Sequence, residues 1–153
     1  MTRRVALAEL ALLGPVGGCG GGGDDGDVTV TLDEWSLEAE PLVTDSGTIE
    51  MAIDNDGELD HELLLVALPA SGEIPTLPTG EADLTAATPV DTLDAFGPGR
   101  FEAEFLRVLP GDYMLLCNLV SDGQAHYAKG MSTRIEVSPT EHDQPATTPT
   151  TAG

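Results

Sequence analysis

"GDYMLLCNLVSDGQAHYAKGMSTRIEV", residues 111–137, decides how this chain is read. "GDYMLLC" alternates, so that Tyr113, Leu115 and Cys117 fall on one face of a strand. "MSTRIEV" does the same with Met131, Thr133, Ile135 and Val137. The residues between, with their Asp, Gly and Ser, read as a loop that carries His126. A thiol thus ends one inward-facing row, a thioether begins the next, and an imidazole lies between them. Those three side chains have few shared uses, and a soft metal ion is the foremost. A metal site of this kind needs one more histidine from elsewhere in the chain.

Working outward, the β pattern continues. "VTVTL" alternates Val28, Val30 and Leu32, and "WSLEA" alternates Trp35, Leu37 and Ala39. "TIEMAID" sets Ile49, Met51 and Ile53 on one face, and "FEAEF" does so with Phe101, Ala103 and Phe105. "HELLLVAL" is continuously apolar, as expected of a strand buried on both faces. Short strands punctuated by Gly, Pro and Asp predict an all-β Greek-key sandwich of about seven to eight strands. Residues 69–99, with Pro69, Pro75, Pro78, Pro89 and Pro98, break the rhythm and read as a long crossover between sheets. Within them "GEADLTAA" and "VDTLDAF" are each expected to hold a turn of helix.

The chain has 153 residues and a net charge of −21, from 27 acidic and 6 basic residues. The length suits one domain with a proper core. The charge argues against a nucleic-acid partner, since no basic surface exists to neutralise phosphates. It favours a solvated monomer and, at low salt, partners with a basic docking surface.

The two ends differ from the body. "MTRR" followed by "VALAELALLGPV" has the basic and apolar zones of an export signal, residues 1–18. "VGGC", residues 16–19, resembles the bacterial lipobox, which implies that Cys19 is lipidated and anchors the chain to a membrane. "GGGGDDGD" completes a flexible linker, residues 19–27, spanning roughly 15 Å. The metal-binding domain is expected over 28–137, and a disordered Pro/Thr-rich tail, with a solvated His142, over 138–153. The protein is therefore expected outside the cytoplasm, on the outer face of the cytoplasmic membrane.

The missing histidine is His61, which opens the apolar strand in "NDGELDHELLLV". Two His, one Cys and one Met are the ligand set of a blue-copper site, a His₂Cys plane with a weak axial Met. At these residues the chain resembles the cupredoxins, small type 1 copper proteins such as plastocyanin and azurin. In that family a first histidine follows an Asn-containing turn, as His61 follows Asn55. A strand introduced by a sequence like "LPGDY", residues 109–113, then leads to the cysteine, and His and Met follow on the ligand loop. Four residues separate His126 from Met131, the familiar spacing; the eight between Cys117 and His126 exceed plastocyanin's and are similar to copper nitrite reductase.

The resemblance implies one copper ion with His61, Cys117 and His126 as equatorial ligands and Met131 as axial ligand. It implies Glu62 and Asn118 as supports around them, and His126, with its ring edge near solvent, as the electron exit. The implied role is single-electron transfer between redox partner proteins, not stand-alone catalysis, because four ligands leave no position for a substrate. A copper-delivery lipoprotein and a sandwich that serves as a binding module are the alternatives. A Cys-His-His zinc site gives Met131 no role. Nucleophilic catalysis by Cys117 and His126 lacks an orienting third group.

Overall fold

The structure is a computed structural model that describes residues 27–143. The expected export segment, Cys19 and the end of the tail lie outside the described residues. Eleven strands run in chain order: β1 Val28–Asp33, β2 Ser36–Glu40, β3 Val43–Asp45, β4 Gly47–Asn55, β5 His61–Ala67, β6 Thr88–Phe96, β7 Gly99–Val108, β8 Gly111–Leu116, β9 Val120–Ser121, β10 Gln124–Ala125 and β11 Ser132–Ser138. Two sheets form the sandwich, ordered β2-β1-β4-β7 and β3-β11-β8-β5-β6, and β9 pairs with β10 apart from both. Most neighbours are antiparallel; β1 with β4 and β11 with β3 are parallel.

Alternation explains which faces meet. Val28, Val30 and Leu32 of β1 and Ile49, Met51 and Ile53 of β4 turn inward from one sheet. Leu63 and Leu65 of β5, Tyr113 and Leu115 of β8, and Ile135 and Val137 of β11 meet them from the other. Cys117 and Met131 belong to this same buried cluster, at its rim. The Tyr113 hydroxyl donates to the Leu109 carbonyl at 2.6 Å, which locks the "LPGDY" corner where β8 begins.

The apolar run of β5 has a second use. Leu64 and Val66 point away from the main core and join Met114 and Leu116 of β8 in a smaller cluster. Ile74, Ala82, Leu84 and Tyr127 cover them. The cover is the connection over residues 68–87, tied down by the Tyr127 hydroxyl donating to the Ile74 carbonyl at 2.9 Å. Strand β5 is therefore buried on both faces, which is why it lacks alternation.

Three expectations change. "VDTLDAF" lies in β6, not in a helical turn, and "GEADLTAA" holds turns and bends without a helix. Strand β6 is an edge strand whose side chains are mostly exposed and whose pairing with β5 shifts register twice, so no apolar period betrays it. The long connection joins β5 to its own sheet neighbour β6; the passage to the other sheet is the tight Gly97–Pro98 turn between β6 and β7. Trp35 sits in the turn before β2, with φ 69°, and not on the strand.

Packing on this core sets stability. Leu115 is fully buried on the face that carries Cys117, whereas Leu109 is 70% exposed. Leu115→Ala is expected to cost about 2–5 kcal/mol in urea unfolding, and Leu109→Ala no more than about 0.5 kcal/mol. Equal losses at both positions would contradict this placement of the core.

Candidate metal centre

Each site residue is delivered by a distinct local structure. Asn55, itself buried, folds the turn after β4: its side-chain carbonyl accepts from the Gly57 N–H at 3.1 Å, and its amide donates to the Leu59 carbonyl at 3.0 Å. That turn sets His61 at the start of β5, facing inward with Leu63 and Leu65. Cys117 follows the last residue of β8 and extends its ladder, its N–H donating to the Met131 carbonyl at 3.1 Å. Ser132 pairs with Leu116, so Met131 lies directly opposite Cys117 in antiparallel register. Opposed residues share a face with Cβ atoms about 5 Å apart. Thiol and thioether are thus neighbours by backbone geometry, and both are fully buried.

His126 is pinned within its loop. Its N–H donates to the Leu119 carbonyl at 2.9 Å, and its own carbonyl accepts from Lys129 at 3.1 Å and Met131 at 3.2 Å. The strands β9 and β10 form a small hairpin that carries the ring back over the site.

The donor atoms converge. The Nδ1 atoms of His61 and His126 lie 3.2 Å apart. The Cys117 Sγ is 3.3 Å from Nδ1 of His126 and 3.9 Å from Nδ1 of His61. Two nitrogens that share an ion at about 2.0 Å lie at most about 4 Å apart, and a nitrogen and a thiolate at about 2.3 Å lie at most about 4.3 Å apart. All three separations satisfy those limits, so the three donors can hold one ion. The Nε2 of His61 is buried without a hydrogen-bond partner among the described residues. A ring fixed only by its packing, with Nδ1 turned to the other donors, fits a ligand oriented for an ion. The Nε2 of His126 meets the Ser121 hydroxyl at 2.9 Å, which leaves its Nδ1 for the site.

The cupredoxin resemblance implies a His126 ring with its edge near solvent. The structure corrects this: His126 is 0% exposed, with Trp35 packed against it edge-on at a ring-centroid separation of 5.3 Å. Trp35 and Ser121 are the neighbours that sequence reasoning missed. Trp35 was hidden inside an alternation that looked like strand, and Ser121 has no sequence signal.

Glu62 and Asn118 form a brace. The Glu62 N–H points to the Cys117 sulfur at 3.5 Å, and its carboxylate accepts from the Asn118 N–H at 3.1 Å. The Asn118 side chain accepts from the Ala82 N–H at 2.6 Å and donates to the Ala82 carbonyl at 3.3 Å. One network therefore holds the sulfur, the start of the ligand loop and the 68–87 connection. Burial pushes the Glu62 carboxyl above its usual range, the Asn118 N–H opposing it.

Burial also pushes the Cys117 thiol up and both imidazoles down, the His61–His126 repulsion adding to the effect at His61. Without a metal the site holds a neutral thiol and neutral imidazoles, so nothing charged is stranded in the core. A thiol and thioether with two imidazoles is the donor set of type 1 copper: soft sulfur for Cu(I), imidazole for both oxidation states.

No family model matches the sequence, and no curated protein matches it. Solved structures do. Dithionite-reduced auracyanin from the photosynthetic bacterium Roseiflexus castenholzii matches at 24% identity over 72% of this chain and 95% of that one, with a TM-score of 0.50. Auracyanin B matches at 15% identity over 72% and 87% of the two chains, also with a TM-score of 0.50. The chain has the cupredoxin fold, a two-sheet β-sandwich with its His-Cys-His cluster at one rim.

The buried histidines carry a pH signature. Their folded pKa values lie below the unfolded value of about 6.5. The unfolded chain therefore takes up protons that the folded one refuses, and metal-free stability is lost as pH falls through about 6.5. Urea midpoints of the metal-free protein should fall from pH about 7.5 to about 6, and His126→Leu should flatten the slope. A flat or rising midpoint in the wild type would contradict the neutral, buried state of both rings.

Proposed function

We propose that this chain is a type 1 copper protein that passes single electrons between redox partners outside the cytoplasm. His61, Cys117, His126 and Met131 would hold the copper ion. The observation that carries the reading is the convergence of the three donor atoms beside a buried Met131 that the β8–β11 register sets opposite Cys117. Bound copper supplies the one-electron couple between Cu(I) and Cu(II). The chain's residues supply the rest: four buried side chains that exclude water, two strand ends that fix the sulfurs, and a brace that keeps Cys117 from moving.

Burial and rigidity favour electron transfer over delivery. A delivery site must open to hand its ion on, whereas here Cys117, His61, His126 and Met131 are each 0% exposed. The auracyanin of Roseiflexus castenholzii, which shares this fold, is described in a dithionite-reduced state. Four ligands leave no position for a substrate, so no stand-alone catalysis is assigned. The acidic surface suits partners with basic docking faces. An export signal over 1–18 and a lipid on Cys19 would hold the domain at the outer face of the cytoplasmic membrane. Among the described residues no helix is long and apolar enough to cross a membrane.

Spectroelectrochemical titration of the copper-loaded protein tests the reading. The expected result is a reversible one-electron wave with copper retained in both states, and Met131→Gln shifting the potential downward. Prompt loss of Cu(I) to a competing chelator would favour delivery, and an unshifted potential in Met131→Gln would remove Met131 from the ligand set.

A further inference from the structure

His126 was expected to present its edge to solvent, yet no part of it does. Trp35, which packs against that ring, is only half-buried. The two rings meet at 83°, edge to face, with centroids 5.3 Å apart. Trp35 also meets Lys129, the only lysine of the chain, whose Nζ lies 5.4 Å from the ring centroid. His126 and Lys129 come from one loop, so that loop touches the indole through two side chains.

The backbone that delivers Trp35 is unusual. With φ 69° it occupies the left-handed region, where Gly or Asn is ordinary and a bulky aromatic residue is an outlier. Such a conformation persists where its surroundings over-determine it. Here they do: the carboxylate of Glu34 accepts from the N–H groups of Glu58 at 2.6 Å and Leu59 at 3.0 Å. Gly57 makes room for it, since a Cβ there would collide with that carboxylate. The Asp56 N–H also donates to the Leu32 carbonyl at 2.8 Å. The β1–β2 turn is thus fastened to the loop that delivers His61, and Trp35 is fixed with respect to both histidines. A simple cover over His126 needs bulk, not an indole held in a glycine-like conformation.

We infer that Trp35 is the port through which electrons enter and leave the site, taking the place of an exposed histidine edge. This rests on the type 1 copper reading above. Trp35 and His126 would carry one electron from a reduced one-electron donor, such as a haem protein, to copper held at the site; the donor would lose the electron that copper gains, with no bond made or broken and no proton moved. Tunnelling falls off steeply across empty space and less through packed atoms. A partner too large to reach His126 therefore has a packed route through the indole, which touches the ring on one side and is half-open on the other.

The test uses the copper-loaded full chain, with Trp35→Leu to keep bulk without the π system and Trp35→Phe to keep a ring. Each is mixed in stopped flow with a reduced basic c-type cytochrome, and the copper–thiolate band is followed over a range of cytochrome concentrations. Visible spectrum and midpoint potential are recorded for every variant. The expected result is an unchanged band and potential throughout. The limiting rate should be several-fold lower in Trp35→Leu and near wild type in Trp35→Phe. An unaltered limiting rate in Trp35→Leu would overturn the proposal and leave Trp35 a cover. So would a change confined to the apparent Kd, which would make it a docking residue, or a shifted potential that accounts for the loss. Absence of a copper–thiolate band in the wild type would instead refute the copper reading itself.

Discussion

The hydrogen bond from the Cys117 N–H to the Met131 carbonyl is the constraint on which the site depends. It makes the two residues an opposed pair at the open end of the β8–β11 ladder, so thiol and thioether must share a face. It also closes the loop between them, and His126 then has few places to go. The backbone of His126 is held from both sides, by Leu119 before it and by Lys129 and Met131 after it. Three donors of the four thus follow from one strand pairing and a loop that returns on itself. The fourth, His61, arrives because β5 lies beside β8 in the same sheet.

The site sits where the core ends, and the core is what keeps it dry. Leu63, Leu65, Leu115 and Ile135 fill the inner rows behind the ligands, and the 68–87 connection seals the outer face of β5 and β8. Neutral ligands can be buried there at modest cost. The brace Glu62–Asn118–Ala82 ties this seal to the cysteine, so the connection protects the site without supplying a ligand. Under the proposed function, rigid ligands with water excluded would keep reorganisation small when one electron is gained or lost.

Much of this was legible in the sequence, for identifiable reasons. The seven segments that form β1, β2, β4, β5, β7, β8 and β11 each carry an alternation or an apolar run, because each faces the core. His61, Cys117, His126 and Met131 were legible as a set, because few purposes call for those side chains around a strand–loop–strand. What the sequence hid had no apolar period to show. Strand β6 is an exposed edge, β3 is three residues long, and β9 and β10 are two each. The burial of His126 was hidden for a different reason. It involves Trp35, ninety-one residues earlier in the chain, which sits in a left-handed turn and not on a strand. Contacts between distant segments of that kind leave no local pattern.

The most direct test of the central claim is the visible absorption spectrum of the purified protein after loading with Cu(II), beside that of Cys117→Ser. The account predicts an intense copper–thiolate band in the wild type that bleaches on reduction and returns on reoxidation. It predicts a folded but colourless Cys117→Ser, since the core is built by the strands. Colour retained in that variant, or a colourless wild type that binds zinc in preference, would contradict it.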